Sequence, residues 1–207
     1  MLYKNYIKRF IDFVISITIL FLLWPLLLII YLLIKLFDKG PAIYKQTRTG
    51  LNGKNFTMYK FRTMNNIEKS KEFSMCHEKR VTKIGKFLRK TSLDELPQLL
   101  NVLKGDMSIV GPRPWIVDYY KNFNDEQKRR VEVRPGIVGL AQVMGRNGLD
   151  VFTKIKYDLE YIDNLSLFLD LKIFFLSIII VFKKSHAEII QEDMLKEIDT
   201  LKLQHYE

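Results

Sequence analysis

Cysteine and histidine are scarce in this 207-residue chain, and their scarcity closes several routes. Cys76 is the only cysteine, so neither an internal disulfide nor a thiolate metal cluster can form, and a reducing compartment fits. The three histidines, His77, His186 and His205, lie far apart in polar segments and match no metal-ligand spacing, so none is assigned a role. Neither an internal repeat nor a low-complexity tract is present. Acidic residues are also thin where they would matter for partners. From Lys39 to Lys90 there are 14 basic and 3 acidic residues, a local +11 that accounts for the whole net charge of +10. Such a segment suits nucleic acid, anionic lipid headgroups or a polyanionic substrate, with a solvated basic face as the plainer alternative.

Charge itself is missing from Phe13 to Ile34, 22 residues long. As a helix this run reaches about 33 Å, the thickness of a bilayer core. It is too long for a signal peptide and no small-residue cleavage site follows, while a core helix would need a soluble domain on every side. Membrane insertion is the reading. Lys4, Lys8 and Arg9 flank one end and Lys35, Lys39, Lys45 and Arg48 the other, so the positive-inside tendency draws both ends to the cytoplasm. Pro25 sits almost at the midpoint, where it removes a hydrogen bond and bends the helix. A re-entrant helix that dips into one leaflet satisfies both observations. A straight or kinked spanning helix with its basic N-terminus outside is the alternative.

One substantial domain fits the remaining length. Ile43–Gln46 and Phe56–Phe61 flank Leu51-Asn52-Gly53-Lys54, and Asn-Gly is a strong hairpin signal. Residues 65 to 80 are polar and read as a mobile loop or frayed helix. Thr82 to Arg89 reads as a short amphipathic helix. The next helix starts between Ser92 and Asp94, where Ser92-x-x-Glu95 matches a capping box but Pro97 prefers a first turn. Leu96, Leu99, Leu100 and Leu103 supply its expected buried stripe, and Gly105 ends it. A polar helix is expected from Tyr119 to Val133, opened near Asn124-Asp125, then a glycine-punctuated loop from Gly136 to Gly148. Ile173–Phe182 is ten uncharged residues, too short to span, and reads as an interfacial helix.

The chemistry concentrates in residues 89 to 114. Asp94 and Glu95 are adjacent carboxylates at a helix start, with Arg89 and Lys90 upstream and Arg113 locked between Pro112 and Pro114 downstream. Adjacent helical residues point about 100 degrees apart, so the pair suits two divergent jobs rather than one shared proton. Anionic oxygens, fixed cations and a helix N-terminus suit a phosphate or pyrophosphate with a divalent metal. Simple helix capping is the alternative for the carboxylates. Prolines on both sides stiffen the backbone of Arg113, which lowers the entropy lost in aiming its guanidinium. Arg134 before Pro135 shares that stiffness or merely stops a helix. Arg62, Arg89 and Arg146 are each weak signals alone.

Together, KFRTM (Lys60–Met64), SLDELPQLLNVLKGDMSIVGPRP (Ser92–Pro114), RPGIVGLAQV (Arg134–Val143) and Arg146-Asn147 resemble the bacterial sugar transferase family, specifically its small monotopic polyprenyl-phosphate phosphoglycosyl transferases. The likeness runs from KRFIDF (Lys8–Phe13) to about Lys184. It implies transfer of a phosphosugar from a UDP-sugar to undecaprenyl phosphate, with release of UMP and Mg²⁺ as cofactor. Asp94 would be the nucleophile on the β-phosphorus, forming a phosphosugar-aspartate. Glu95 would assist through the metal or by positioning. Arg89, Arg113 and Arg146 would bind phosphates, with Lys60, Arg62 and Arg134 as further substrate-binding candidates. The resemblance favours the re-entrant topology, although Trp24-Pro25 stands where relatives commonly carry Ser-Pro.

The fold class that follows is α+β and mainly helical. It comprises a re-entrant membrane helix over residues 1–38, a catalytic domain with a β-hairpin and interfacial helices over 39–184, and a polar tail over 185–207. The implied setting is the cytoplasmic face of a bacterial inner membrane, with membrane lipids and downstream glycosyltransferases as further partners. Two other classes compete. A membrane-tethered nucleic-acid or anionic-lipid module would exploit the +11 segment, but it lacks a recognition helix or aromatic platform and leaves Asp94-Glu95 unexplained, so no nucleic-acid partner is expected. A catalytically silent scaffold for polysaccharide assembly differs only in activity.

Overall fold

The computed structural model of the protein describes residues 2–38, 40–65, 80–145, 148–182 and 200–201. Arg146, Asn147, nearly all of the 65–80 stretch and most of the C-terminal tail therefore lie outside the described residues. A π-helical turn, Tyr3–Ile7, leads into helix α1, Lys8–Phe37. Thirty residues give α1 a length of about 45 Å. It is long and apolar enough to cross a membrane, and only 11% of its most apolar 18-residue window is buried. Phe21, Leu22, Trp24 and Leu36 all face outward. A helix with so much bare apolar surface marks the chain as membrane-associated. The helical pattern continues through Pro25.

The contacts of α1 are concentrated near its two ends. At the start, Lys8 Nζ pairs with Asp170 Oδ2 at 2.6 Å, and Arg9 donates to the carbonyls of Val102 and Leu103. The Asp12 carboxylate accepts from Ser108 Oγ at 2.7 Å and from Ile109 N at 3.0 Å. At the far end, Ile30 and Ile34 are buried with Ala42, Phe61 and Leu88. There Asp38 accepts from Thr82 Oγ1 through its side chain and from Arg62 Nη2 through its carbonyl, at 2.8 and 2.7 Å.

Strands β1 (Ile43–Thr49) and β2 (Asn55–Phe61) form the anticipated antiparallel hairpin, in register from Ile43↔Phe61 to Thr49↔Asn55. Its turn, Leu51–Gly53, holds Asn52 and Gly53 at φ 55° and 75°, the left-handed geometry that Asn-Gly adopts with little strain. Helix α2 (Lys83–Thr91) is N-capped by Thr82, whose hydroxyl accepts from Gly85 N at 2.9 Å. A Cβ on Gly85 would come within 2.1 Å of Thr63 O, so glycine is what lets α2 lie against the exit of β2.

After α2 the structure corrects the sequence reading. Ser92 closes α2 in the left-handed conformation at φ 58°, and its side chain forms no cap bond, so the capping box with Glu95 does not exist. Asp94 and Glu95 ride instead on a 3₁₀ segment, Leu93–Gln98, ahead of the short helix α3, Leu99–Lys104. The buried residues here are Pro97, Gln98, Leu99, Asn101 and Val102, whereas Leu100 is exposed. The polar Asn101 takes an interior place because it donates to Thr57 O and accepts from Tyr59 N, stitching α3 to β2. Gly105 ends the helix at φ 90°, as anticipated.

A parallel pair follows that the sequence reading did not contain: β3 (Ser108–Val110) beside β4 (Gly136–Val138). The expected polar helix across Tyr119–Val133 breaks into α4 (Val117–Lys121), α5 (Asp125–Lys128) and a 3₁₀ turn at Arg129–Val131. The break falls before Asn124, which forms a full capping box with Gln127 and so starts a new helix. Beyond β4, the stretch expected as loop contains α6 (Leu140–Met144). Helices α7 (Val151–Asp163) and α8 (Leu167–Phe182) follow. Val102, Met107, Ile109, Val110, Tyr161 and Ile173 meet in the main core. Phe168, Leu171, Phe175 and Ile178 form an exposed apolar stripe on α8, opposite the fully buried Ile173.

Candidate active site

The turn at Ser92 doubles the chain back, so the 3₁₀ segment packs on β2 beside the last turn of α2. Glu95 Oε1 thereby meets Lys60 Nζ of β2 at 2.6 Å and Arg113 Nη2 at 3.2 Å. One carboxylate oxygen joins three segments that are 35 and 18 residues apart in sequence. Arg89 is oriented by its Nε bond to Thr63 Oγ1 at 2.9 Å and lies within electrostatic reach of Asp94. Five predicted residues, Lys60, Arg89, Asp94, Glu95 and Arg113, thus form one cluster.

The two carboxylates have opposite electrostatic characters. Burial pushes Glu95 up, but Lys60 and Arg113 outweigh it and hold the group at about 2, so it is ionised at neutral pH. Burial also pushes Asp94 up, and here it prevails: Glu95 adds to the rise while Lys60, Arg89 and Arg113 oppose it. Lys60 is lowered by burial, with Glu95 opposing, yet the 2.6 Å contact fits a charged pair. Adjacent carboxylates in one site are therefore tuned apart, one fixed as an anion and the other less readily ionised.

Arg113 is mounted with unusual completeness. Gly136 N donates to Pro112 O at 2.9 Å, Arg130 Nη2 to Arg113 O at 2.9 Å, Arg48 Nη1 to Pro114 O at 3.2 Å, and Thr49 N to Trp115 O at 3.0 Å. Four successive carbonyls are taken by donors from β1, β4 and the 3₁₀ turn at Arg129–Val131. Arg130 is itself buried, paired with Asp158 and stacked over Trp115 at 4.7 Å. The Arg113 side chain remains 47% exposed, a reaching guanidinium on a fixed backbone. The prolines suggested the stiffness, but nothing local pointed to Arg130 and Asp158, whose pairing spans 28 residues.

Three predicted residues do not join this cluster among the described contacts. Arg62 is buried and braces the end of α1 through Asp38 O, with its guanidinium against Gly40. Arg134 donates from Nε to Gly105 O at 2.9 Å, beyond the end of α3, where it completes the helix terminus with Arg9. Arg146 lies outside the described residues. No group of three or more His, Cys, Asp or Glu side chains is poised for a metal among the described residues. The Asp94-Glu95 pair nonetheless fits the mode in which a Mg²⁺ ion is held by one or two carboxylates together with substrate phosphates.

The comparisons with known proteins bear directly on this cluster. The model of the bacterial sugar transferase family matches residues 3–184. The chain belongs to the bacterial sugar transferase family. An uncharacterised Bacillus subtilis sugar transferase, EpsL, is 47% identical over 172 residues, covering 83% of this chain and 85% of that protein. The Salmonella typhimurium undecaprenyl-phosphate galactose phosphotransferase is 42% identical over 202 residues, covering 89% of this chain but 42% of the relative. The Escherichia coli UDP-glucose:undecaprenyl-phosphate glucose-1-phosphate transferase is 44% identical over 182 residues, covering 83% of this chain and 39% of the relative. The shared region holds every residue of the cluster, and the chain is a transferase on the strength of that family.

The Glu95 contacts yield a stability prediction. Its folded value lies below the ordinary one, so its stabilisation is complete above about pH 4.5 and fades as pH falls toward 2. Glu95→Gln leaves Lys60 buried without its anion and is expected to lower stability by about 3–5 kcal/mol at pH 7. Thermal melts of wild type and variant should converge between pH 4.5 and pH 2. A gap that stays constant across that window would show that the ion pairs do not hold the segment.

Proposed function

We propose that this transferase moves a phosphosugar from a UDP-sugar to undecaprenyl phosphate, releasing UMP and starting a membrane-linked glycan. The observation that carries the reading is the Asp94–Glu95 pair set among Lys60, Arg89 and Arg113 in a fold whose relatives are named for that chemistry. Three cations around two carboxylates suit a substrate that brings its own negative charge.

Asp94 is the nucleophile. Its oxygen bonds to the β-phosphorus, the bond to the bridging oxygen breaks, and UMP leaves with that electron pair. The acceptor's phosphate oxygen then attacks the phosphosugar-aspartate and regenerates Asp94. Glu95, kept ionised by its two cations, shapes the site and does not compete as the attacking group. Arg113 and Arg89 bind phosphate oxygens and stabilise the charge that builds at the bridging oxygen. Mg²⁺ held by Asp94, Glu95 and the diphosphate would supply further charge neutralisation. The named relatives act with glucose and galactose donors, so a panel of UDP-sugars identifies the donor of this chain.

A re-entrant α1 follows from the same reading. Its start is tied to α3, β3 and α8 and its end to the hairpin and α2, all parts of one folded body. A helix crossing the bilayer would set those two anchoring regions on opposite sides. Basic residues at both ends, and Pro25 between them, support a helix that enters and leaves one leaflet of the inner membrane from the cytoplasmic face. The exposed apolar stripe of α8 supports a second helix lying in the same interface.

Two outcomes test these readings. Purified protein incubated with UDP-sugars and undecaprenyl phosphate should release UMP, and Asp94→Asn should abolish release with an unchanged melting temperature. Wild-type turnover in Asp94→Asn would remove the covalent mechanism. Separately, cysteines at Lys4 and Lys54 in a Cys76→Ser background should be labelled from the same side of sealed vesicles. Labelling from opposite sides would rule out the re-entrant helix.

A further inference from the structure

Arg48, half-buried on β1, has surroundings unlike those of Lys8, Lys60 and Arg130. Lys8, Lys60 and Arg130 each face a carboxylate: Asp170, Glu95 and Asp158. Arg48 has no carboxylate within ion-pair distance among the described residues. Its guanidinium donates only to neutral acceptors, Gln46 Oε1 at 2.6 Å and Pro114 O at 3.2 Å, and its buried Nε has no partner. Burial, and after it the nearby positive charge of Arg113, lower it to about 10, with Tyr44 and Tyr119 opposing. It remains a cation at neutral pH, held beside another cation. Two like charges side by side, of which only Arg113 reaches an anion, Glu95, are a costly arrangement for folding alone, and one that a bound anion relieves.

The position is as informative as the charge. The hairpin register sets Tyr44, Gln46 and Arg48 on the same face as Lys60, Met58 and Phe56. Arg113 lies between the two ends of that face: it bonds Glu95, the partner of Lys60, and Arg48 Nη1 donates to the carbonyl of the adjoining Pro114. Arg48 adds a further positive charge beside the Lys60, Arg89 and Arg113 cluster, which favours an anionic substrate.

We propose that Arg48 works with Arg113 as the binding site for the phosphate of the departing nucleotide. The inference rests on the transfer reaction proposed above. When the Asp94 oxygen bonds to the β-phosphorus, the broken bond leaves its electron pair on the nucleotide's phosphate. That phosphate passes from one negative charge to two, while the aspartyl phosphosugar keeps one. The total of three negative charges is unchanged, but it has shifted away from Asp94. A second guanidinium beyond Arg113 meets the charge where it accumulates, and a prebuilt cation there stabilises the transition state more than the ground state.

The test uses the full chain in lipid nanodiscs, with UMP and uridine as probes in ligand-observed NMR titrations. Arg48→Gln should weaken UMP roughly tenfold, the loss of one charged hydrogen-bonding partner, and leave uridine unchanged. Its dependence of UMP affinity on salt should also become shallower. The KM for undecaprenyl phosphate should stay at the wild-type value while kcat for UMP release falls. Arg48→Lys keeps the charge and should recover most of the UMP affinity, which also guards against a Gln variant that folds poorly. Equal weakening of UMP and uridine, or a fall in melting temperature with the UMP-to-uridine ratio intact, would reduce Arg48 to a brace for Pro114 and overturn the proposal. So would wild-type UMP affinity in Arg48→Gln. A wild-type chain that releases no UMP from any UDP-sugar would instead overturn the transfer reaction itself.

Discussion

One oxygen atom of Glu95 organises the candidate site. Lys60 arrives from the hairpin, Arg113 from the proline-locked loop and Glu95 from the 3₁₀ segment, and none of the three is near the others in sequence. Lys60 and Glu95 are largely removed from water, so either would be strongly unfavourable alone, while Arg113 keeps nearly half of its side chain exposed. Together they fix the relative placement of the hairpin, the 3₁₀ segment and the proline-locked loop. Asp94, next to Glu95, inherits its position from that junction. Its raised value and the lowered one of Glu95 are two results of the same buried arrangement.

The rest of the fold serves this junction at two ranges. Nearby, the Pro112–Trp115 carbonyls are each held by a different donor, so Arg113 can reach outward without moving its backbone. The Arg130–Asp158 pair carries that support into α7 and the core beneath. Farther away, Lys8, Arg9 and Asp12 tie the membrane helix to α3, β3 and α8, and Asp38 ties its other end to Thr82 and Arg62. The elements that anchor α1 are neighbours of the segments that carry the carboxylates. In the proposed reaction, this coupling keeps the nucleophile at a fixed depth relative to a lipid acceptor that cannot leave the bilayer.

What was legible in the sequence was local. Asn52-Gly53 announced the hairpin, Gly105 a helix end, the uncharged run α1, and Asp94, Glu95 and Arg113 stood out by their immediate neighbours. What was not legible depended on distant chain. The β3–β4 pair is two three-residue strands, whose pairing needs the close approach of Gly136 to Gly111 and carries no periodic signal. Arg62 also donates to the carbonyl of Asp38 and Arg134 to that of Gly105, since unsatisfied helix ends attract guanidinium groups, and no local pattern announces either bond. Ser92 matched a capping pattern, but its left-handed backbone made it the end of one helix rather than the start of another.

The central claim is that Asp94 becomes covalently loaded before any acceptor is present. Protein incubated with its UDP-sugar alone, quenched in acid and digested, is read by mass spectrometry. The account predicts a hexose-phosphate-type mass increment confined to the peptide carrying Asp94, matched by UMP release of about one equivalent in a burst. UMP release that requires the acceptor from the first turnover, with an unmodified Asp94 peptide, would contradict it.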